Sequence, residues 1–510
     1  MTRKCLTPGL AMVVVWIAAI KMAVHFYAGH NYGHFVDELY YLACGRHLAW
    51  GYVDQPPLIA LIAAVTRVLV GESLRAIRFL PAVAGGAMVL LTGLMACELG
   101  GGRFAQGLAA LAVLVAPGFL AIDSLFSMNA FEPPFWMGCA YMVMRIVRTG
   151  NQKLWLWFGL VAGIGLENKH SMLIFGCGIV VGLLATPERR QLRSPWLWIA
   201  GALALLIFLP NLLWNVQHHF PFLELQANIR RAHRDVDLRP LAFLGQEILT
   251  MLPVALPVWV AGLWYFLFSE KGKPFRLLGW AWLFTMAVIM IMNPRVYYPW
   301  PAFPMLFAAG GVLWESWLAS PRLQWIKPAW VTLMLVAGAI LAPFVVPVLP
   351  VETYIRYSQA LGFQPPKLET HKLGPLPQIY ADQFGWEEMA AAVAKVYNGL
   401  PPEVRPRTAI FGQNYGQAGA VDLFGSKYGL PKAISGHQTY FLWGPRDYTG
   451  ESMIVMDGRQ ADLESKFTAV EKVAYFEHPY SMPYEHFDIF YCRGLKWPLR
   501  EIWPTVKNWD

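Results

Sequence analysis

The chain is poor in cysteine, poor in charge and without the glycine-rich loops that hold nucleotides. Its six cysteines, Cys5, Cys44, Cys97, Cys139, Cys177 and Cys492, are scattered through 510 residues with no CxxC pair. That spacing excludes a disulfide framework and a zinc knuckle. Charged residues make up only 15% of the chain while 56% are hydrophobic, and the mean hydropathy is +0.39. Neither GxGxxG nor GxxxxGK[ST] occurs, so neither standard phosphate-loop motif supports a dinucleotide or a nucleoside triphosphate. There is also no internal repeat, and no small-residue cleavage site follows the first apolar run, which therefore reads as a retained anchor. The net charge of +8 would suggest nucleic acid in a soluble protein, but membrane topology accounts for it here.

What the chain does have is apolar length. With a window of roughly 19 residues, apolar spans fall near 9–28, 78–99, 104–122, 128–147, 154–167, 170–186, 195–214, 243–268, 277–292, 299–318 and 328–349. The expectation is a polytopic α-helical membrane protein with about eleven spans. Alternate loops carry "GGGR", "RTGNQK", "PERRQLR", "SEKGKPFR" and "SPRLQWIK". Short basic loops on one side are the positive-inside pattern of a cytoplasmic face, with the "MTRK" terminus on that side. An odd span count then places residues 350–510 outside, with the acidic opening loop and the "WNVQHHFPFLELQANIRRAHRDVDLRP" loop. The stretch "PPLIALIAAVTRVLVG" is short for a span and suits an interfacial helix; counting it as a span would invert every later loop.

The sequence therefore divides into a membrane module, 1–349, whose loop 29–77 carries interfacial helices, and a small α/β domain, 350–510. In the second, "RTAIFG", "SMIVMDG" and "FDIFYCRG" read as strands, and "GQAGAVDLFGSKYG" and "ADLESKFTAV" as helices. The loops "QNYGQAGAVDLFG" and "SGHQTYFLWGP" have the glycine and aromatic content of shaped loops, read as packing or lid segments.

Chemistry concentrates in "FVDELYYLACGRHLAWGYVDQPPL". Asp37 and Glu38 fall in the first turn of a helix starting near Val36, where the helix dipole favours carboxylates, so a capped interfacial helix explains them as well as catalysis does. Asp54 follows in a loop stiffened by Pro56 and Pro57. A carboxylate partly screened from water at a membrane surface could take a proton from an acceptor hydroxyl or amine, help hold a divalent cation, or orient a sugar.

This string resembles the first external loop of the glycosyltransferase family 39 group, the bacterial relatives of protein O-mannosyltransferases and of the aminoarabinose transferase of lipid A, which share the GT-C fold. The resemblance continues at "SMNAFEPPFW", "GLENKHSMLIFG", "LPNLLWNVQHHFPF", "NPRVYYPWPAFPML" and the tail's "NYGQAGAVDLFG" and "SGHQTYFLWGP", and so covers most of the chain. It implies an inverting transfer of a sugar from a polyprenyl-phosphate carrier to a lipid, glycan or protein acceptor, at the outer face of a bacterial cytoplasmic membrane. Membrane lipids are implied as partners and nucleic acid is not.

Carried over by position, Asp37 stands at the family's catalytic carboxylate and Glu38 completes the acidic pair. Asp54 stands at an acid near the donor or metal, and Gln55 where the aminoarabinose enzyme has a phosphate-facing lysine. Asn129 stands where several relatives have Asp, with Glu132 on the same helical face. Lys169 in "ENKH" matches a phosphate-contacting lysine, although a membrane-surface lysine also snorkels. Arg295 stands where relatives commonly have Lys, beside Tyr297 and Tyr298 as stacking or interfacial anchors. No cofactor is demanded; a divalent metal is the open choice, with His218 and His219 as its candidates, yet two adjacent histidines lack ligand spacing on one helix face. A transporter or flippase for a lipid-linked sugar is the alternative class. Against it, the acids cluster at one face and no inverted repeat appears.

Overall fold

The structure is a computed structural model that describes residues 10–292 and 295–510. The "MTRK" terminus with Cys5, and the "NP" of "NPRVYY", lie outside the described residues. Two compact units emerge, and neither is continuous in sequence: a helical unit of Met1–His30, Arg75–Leu213 and Asp237–Ser358, and a sheet-bearing unit of Asn31–Leu74, Trp214–Val236 and Gln359–Asp510. The expected boundary at 349/350 describes chain order; compactness instead joins the acidic opening loop and the 214–236 loop to the tail.

In the helical unit every expected apolar stretch is helical, but several are not single helices. Among the described residues, Leu74–Glu98, Pro195–Gln217, Lys273–Met292 and Pro321–Phe344 are long and apolar enough to cross a bilayer. The stretch 104–122 is broken into Arg103–Val115 and Pro117–Asp123, bent by 62°, and 243–268 into Pro240–Thr250 and Pro253–Phe268, bent by 93°. Proline lies at both breaks: Pro117 and Pro253 lack the N–H that would continue the ladder, and the residue before each leaves the helical region, Ala116 in extended backbone and Leu252 with a positive φ of 69°. A third pair, Met172–Leu184 and Pro187–Arg193, turns by 111°.

An outward apolar face is clearest on Pro195–Gln217, where Ile199, Leu205, Leu206, Leu209 and Leu213 are all exposed. Such a face is that of a helix meeting lipid or another apolar surface. Elsewhere backbones approach closely: a Cβ on Gly262 would collide with the Leu306 carbonyl, and one on Gly310 with that of Val258. This is the small-residue packing of membrane helices. Inside the unit, Lys21 pairs with Asp123 at 2.8 Å, both buried, and only a glycine at position 85 leaves room for that pair.

The sheet-bearing unit carries five strands: β1 (Thr408–Gly412), β2 (Ile434–Ser435), β3 (Ser452–Met456), β4 (Phe467–Phe476) and β5 (Phe487–Leu495), in the order β2-β1-β3-β5-β4. β1 is parallel to β2 and β3, and β5 is antiparallel to β3 and β4. One expectation needs correction: "ADLESKFTAV" is a helix only over Gln460–Lys466, after which "FTAV" opens β4. Aromatic and β-branched residues there win on an edge strand that pairs Phe467 with Leu495. The Leu58–Leu69 helix also belongs to this unit. Its 12 residues extend about 18 Å, well under a bilayer's roughly 30 Å of hydrocarbon.

Candidate active site

In the sheet-bearing unit, two acids are held by two stacked tyrosines. The Val36–Arg46 helix begins after Phe35, whose N–H donates to Glu38 Oε2 at 2.9 Å. The buried Glu38 carboxylate is thus engaged in capping its own helix, while Asp37 beside it takes a different partner. Tyr415 donates its hydroxyl to Asp37 Oδ1 at 2.7 Å. Tyr40, one turn along the same helix, donates to Asp54 Oδ1 at 2.8 Å. The two phenol rings stack at 4.8 Å. The Thr439 hydroxyl lies on the Tyr40 oxygen as well; because that phenol's single proton goes to Asp54, Thr439 must be the donor to it.

Burial pushes the Asp54 carboxyl up to about 7, and the nearby Asp37 charge adds to the shift against the pull of the Tyr40 bond. Behind Tyr415 stands His437, stacked on it at 4.9 Å; its Nδ1 accepts the Tyr415 backbone N–H at 3.0 Å and its Nε2 faces Asp510 Oδ1 at 3.1 Å. Further acids surround the same loops. Tyr484 donates to Asp382 at 3.0 Å, Arg234 pairs with Glu369 at 2.9 Å, and Asn414 and Gln417 donate to Glu485. Burial holds Asp382 well above the usual carboxylate range and raises Glu485 to about 7.

Gln55 is buried and turns its amide toward Cys44 Sγ at 3.7 Å, leaving Oε1 without a protein partner. His218 stacks on Trp214 at 4.1 Å and bonds the Trp214 carbonyl, while His219 takes a left-handed backbone, φ 58°. Among the described residues no group of three or more His, Cys, Asp or Glu side chains could hold a metal ion.

In the helical unit the remaining candidates gather around Lys169. That residue ends the Leu154–Asn168 helix in extended backbone, φ −160° and ψ 134°, which turns its side chain inward. Its ammonium donates to Asn129 Oδ1 and to Glu132 Oε2, each at 2.9 Å. It also lies over the Tyr298 ring at 4.2 Å and the Tyr297 ring at 5.1 Å, and those rings stack on one another. Ser171 donates to the other Glu132 oxygen, and Asn168 donates to the Met128 carbonyl at 2.9 Å. Glu132 therefore holds two of the four residues of the "NKHS" turn, Lys169 and Ser171. Arg295 is close enough for its charge to act on the Tyr298 phenol.

Sequence reasoning missed Tyr40, Tyr415, His437 and Arg234 as parts of the acid cluster. Tyr415 follows the carboxyl end of β1 and His437 that of β2. Loops at the carboxyl ends of adjacent parallel strands are where open α/β sheets bind ligands, and that rule was the available signal.

Residues 54–214 match the family model described as dolichyl-phosphate-mannose-protein mannosyltransferase. A curated relative, the lipid A galacturonosyltransferase RgtD of Rhizobium johnstonii, is 25% identical over 312 residues; the match spans 56% of this chain and 62% of the relative's length. The solved structure of ArnT from Cupriavidus metallidurans bound to undecaprenyl phosphate superposes with a TM-score of 0.60 at 14% identity, covering 94% of this chain and 97% of that one. The chain therefore shares the GT-C fold of ArnT, and residues 54–214 resemble the mannosyltransferase family. The archaeal oligosaccharyltransferase AglB from Archaeoglobus fulgidus, solved with an inhibitory peptide and a dolichol-phosphate, is a more distant fold match, with a TM-score of 0.52 at 12% identity over 87% of this chain and 69% of that one. The fold is thus a polytopic helical membrane architecture with a small sheet unit, and the family model and the curated relative are what part of the chain is similar to.

Proposed function

We propose that the chain is an inverting glycosyltransferase that moves a sugar from a polyprenyl-phosphate carrier to a lipid, glycan or protein acceptor at the outer face of a bacterial cytoplasmic membrane. The observation that carries this reading is the pair of acids, Asp37 and Asp54, each held by a phenol hydroxyl. A phenol orients a carboxylate without neutralising it, so the group can still take a proton. Asp37 takes the acceptor's proton, the acceptor oxygen or nitrogen bonds to the anomeric carbon from the opposite face, and the bond to the carrier phosphate breaks.

Lys169 and Arg295 are assigned to the carrier phosphate, whose charge grows as the sugar departs. The ArnT and AglB structures carry undecaprenyl phosphate and dolichol-phosphate, which supports that class of carrier. The RgtD name makes a galacturonosyl donor and a lipid A acceptor the first pair to try. The reading includes about eleven spans, a cytoplasmic amino terminus and an outer 350–510 segment, and the short basic loops support it.

The test uses purified full-length protein with a lipid-linked sugar and candidate acceptors. Release of free polyprenyl phosphate without ATP or an ion gradient is expected. Movement of sugar or lipid with no bond broken would instead make it a transporter.

A further inference from the structure

The helical unit also carries an open groove of about 480 Å³ that the transfer reaction does not use, lined by Gln152, Arg190, Gln191, Arg193, Ser194 and Trp196. It is built from two of the short basic loops, "RTGNQK" and "PERRQLR", and the start of the Pro195–Gln217 helix. Lys153 adds a third cation, its ammonium 6.0 Å from the centre of the Trp196 ring.

Its polar atoms are set for a ligand. Gln191 is only 5% exposed, and its Nε2 donates to Glu188 Oε2 at 2.9 Å. A carboxylate can only accept, so that bond fixes the amide's orientation and makes the other atom the oxygen. That Oε1 is buried with no protein partner, as are Gln152 Oε1 and the Ser194 hydroxyl. Each such atom is destabilising if nothing meets it, so three among the residues of one groove call for an occupant. Glu188, the carboxylate beside them, is already engaged by Arg190 at 2.8 Å as well as by Gln191.

Cations demand an anion, and amide oxygens demand donors. Inorganic sulfate supplies only the first. We propose that this groove binds a glycerophosphate head, its phosphate on Arg190 and Arg193 and its free hydroxyls on the Gln191 and Gln152 oxygens. The Trp196 ring and the apolar helix that starts at Pro195 favour a lipid, phosphatidylglycerol, as the source.

The full chain in neutral phosphatidylcholine nanodiscs would be challenged with phosphatidylglycerol, with phosphatidylmethanol, which has the same charge but no head hydroxyl, and with soluble sn-glycerol 3-phosphate. Retained lipid is counted by native mass spectrometry and stability is followed as Tm. Phosphatidylglycerol should be retained roughly tenfold better than phosphatidylmethanol, about the worth of one hydrogen bond to a buried acceptor. Gln191→Leu should erase that preference while leaving the charge-driven part. Arg190→Gln with Arg193→Gln should lower retention of both anionic lipids about tenfold, and Arg193→Gln alone, at an exposed position, serves if the double variant fails to fold. A Tm rise with glycerol 3-phosphate equal to that with the lipid would support the site with a soluble ester as its occupant. Equal retention of both anionic lipids by the wild type, a preference that survives Gln191→Leu, or retention that the arginine variants leave unchanged overturns the proposal.

Discussion

The candidate clusters of the two units hold buried charge differently. Around Lys169 the charges are in an ion pair with Glu132, as Lys21 is with Asp123 and Arg148 with Glu98 elsewhere in the helical unit. The sheet-bearing unit instead sets phenols against acids, Tyr415 on Asp37, Tyr40 on Asp54 and Tyr484 on Asp382. An ion pair in a low dielectric is a locked object, because removing either member strands the other. A phenol–carboxylate bond leaves the charge in place and able to titrate. The first arrangement suits holding a shape, and the second suits moving a proton.

The sharpest break of this contrast is at Asp37. Asp37→Asn keeps the size and still accepts from Tyr415 but cannot take a proton, so transfer should fall by roughly 10²–10⁴-fold with normal recovery of folded protein. Transfer near the wild-type rate would remove the base. Glu38→Gln should cost much less activity, because that side chain caps a helix through an acceptor that an amide oxygen replaces.

Glu132 tests the other half. Glu132→Ala leaves a buried ammonium unpaired and should destabilise the chain by about 3–5 kcal/mol, read as lost Tm and lost folded protein. Adding Lys169→Ala should restore much of that stability while donor use stays impaired. If Glu132→Ala were as stable as wild type, the ion pair would not be what holds the "NKHS" turn.

These two clusters were unequally legible in the sequence. Asn129 and Glu132 sit three apart on one helix, and their shared face could be read from periodicity; Lys169 needed only the next helical hairpin. Tyr415 lies 378 residues from Asp37, and no periodicity reaches that far. The apolar stretches were legible as helices because burial in lipid demands composition. Their breaks at Pro117 and Pro253 were written in the sequence but outweighed by hydropathy averaged over a long window.

Tyr415→Phe gives a smaller effect than either acid. It removes one hydrogen bond to a charged acceptor, worth about 1.5–3 kcal/mol, while keeping the ring stacked between Tyr40 and His437. Transfer should fall by about ten- to a hundredfold, chiefly in kcat if the hydroxyl aims the base and the acceptor's contacts lie elsewhere. An unchanged kcat would mean that Asp37 is oriented without it.

The smallest effect concerns Asp54 and pH. Its folded carboxyl titrates at about 7 against an ordinary 3.8, because burial disfavours the charged form. The sign follows from which state keeps the proton: between those values the folded chain holds it and the unfolded chain has let it go. Stability from this group is therefore complete below the ordinary value and drains away as pH rises toward 7, by at most about 1.4 kcal/mol per pH unit. Glu485, also raised to about 7 by burial, drains stability in the same direction, so wild type should show a Tm that falls with rising pH through the mildly acidic range. Asp54→Asn removes one of these contributions, to which the buried Asp382 also adds, and should flatten that fall without abolishing it. A Tm slope that Asp54→Asn does not change would show that this carboxyl is ionised throughout, and the contrast between titrating acids and locked pairs would then rest on Asp382, the other phenol-held acid that burial raises.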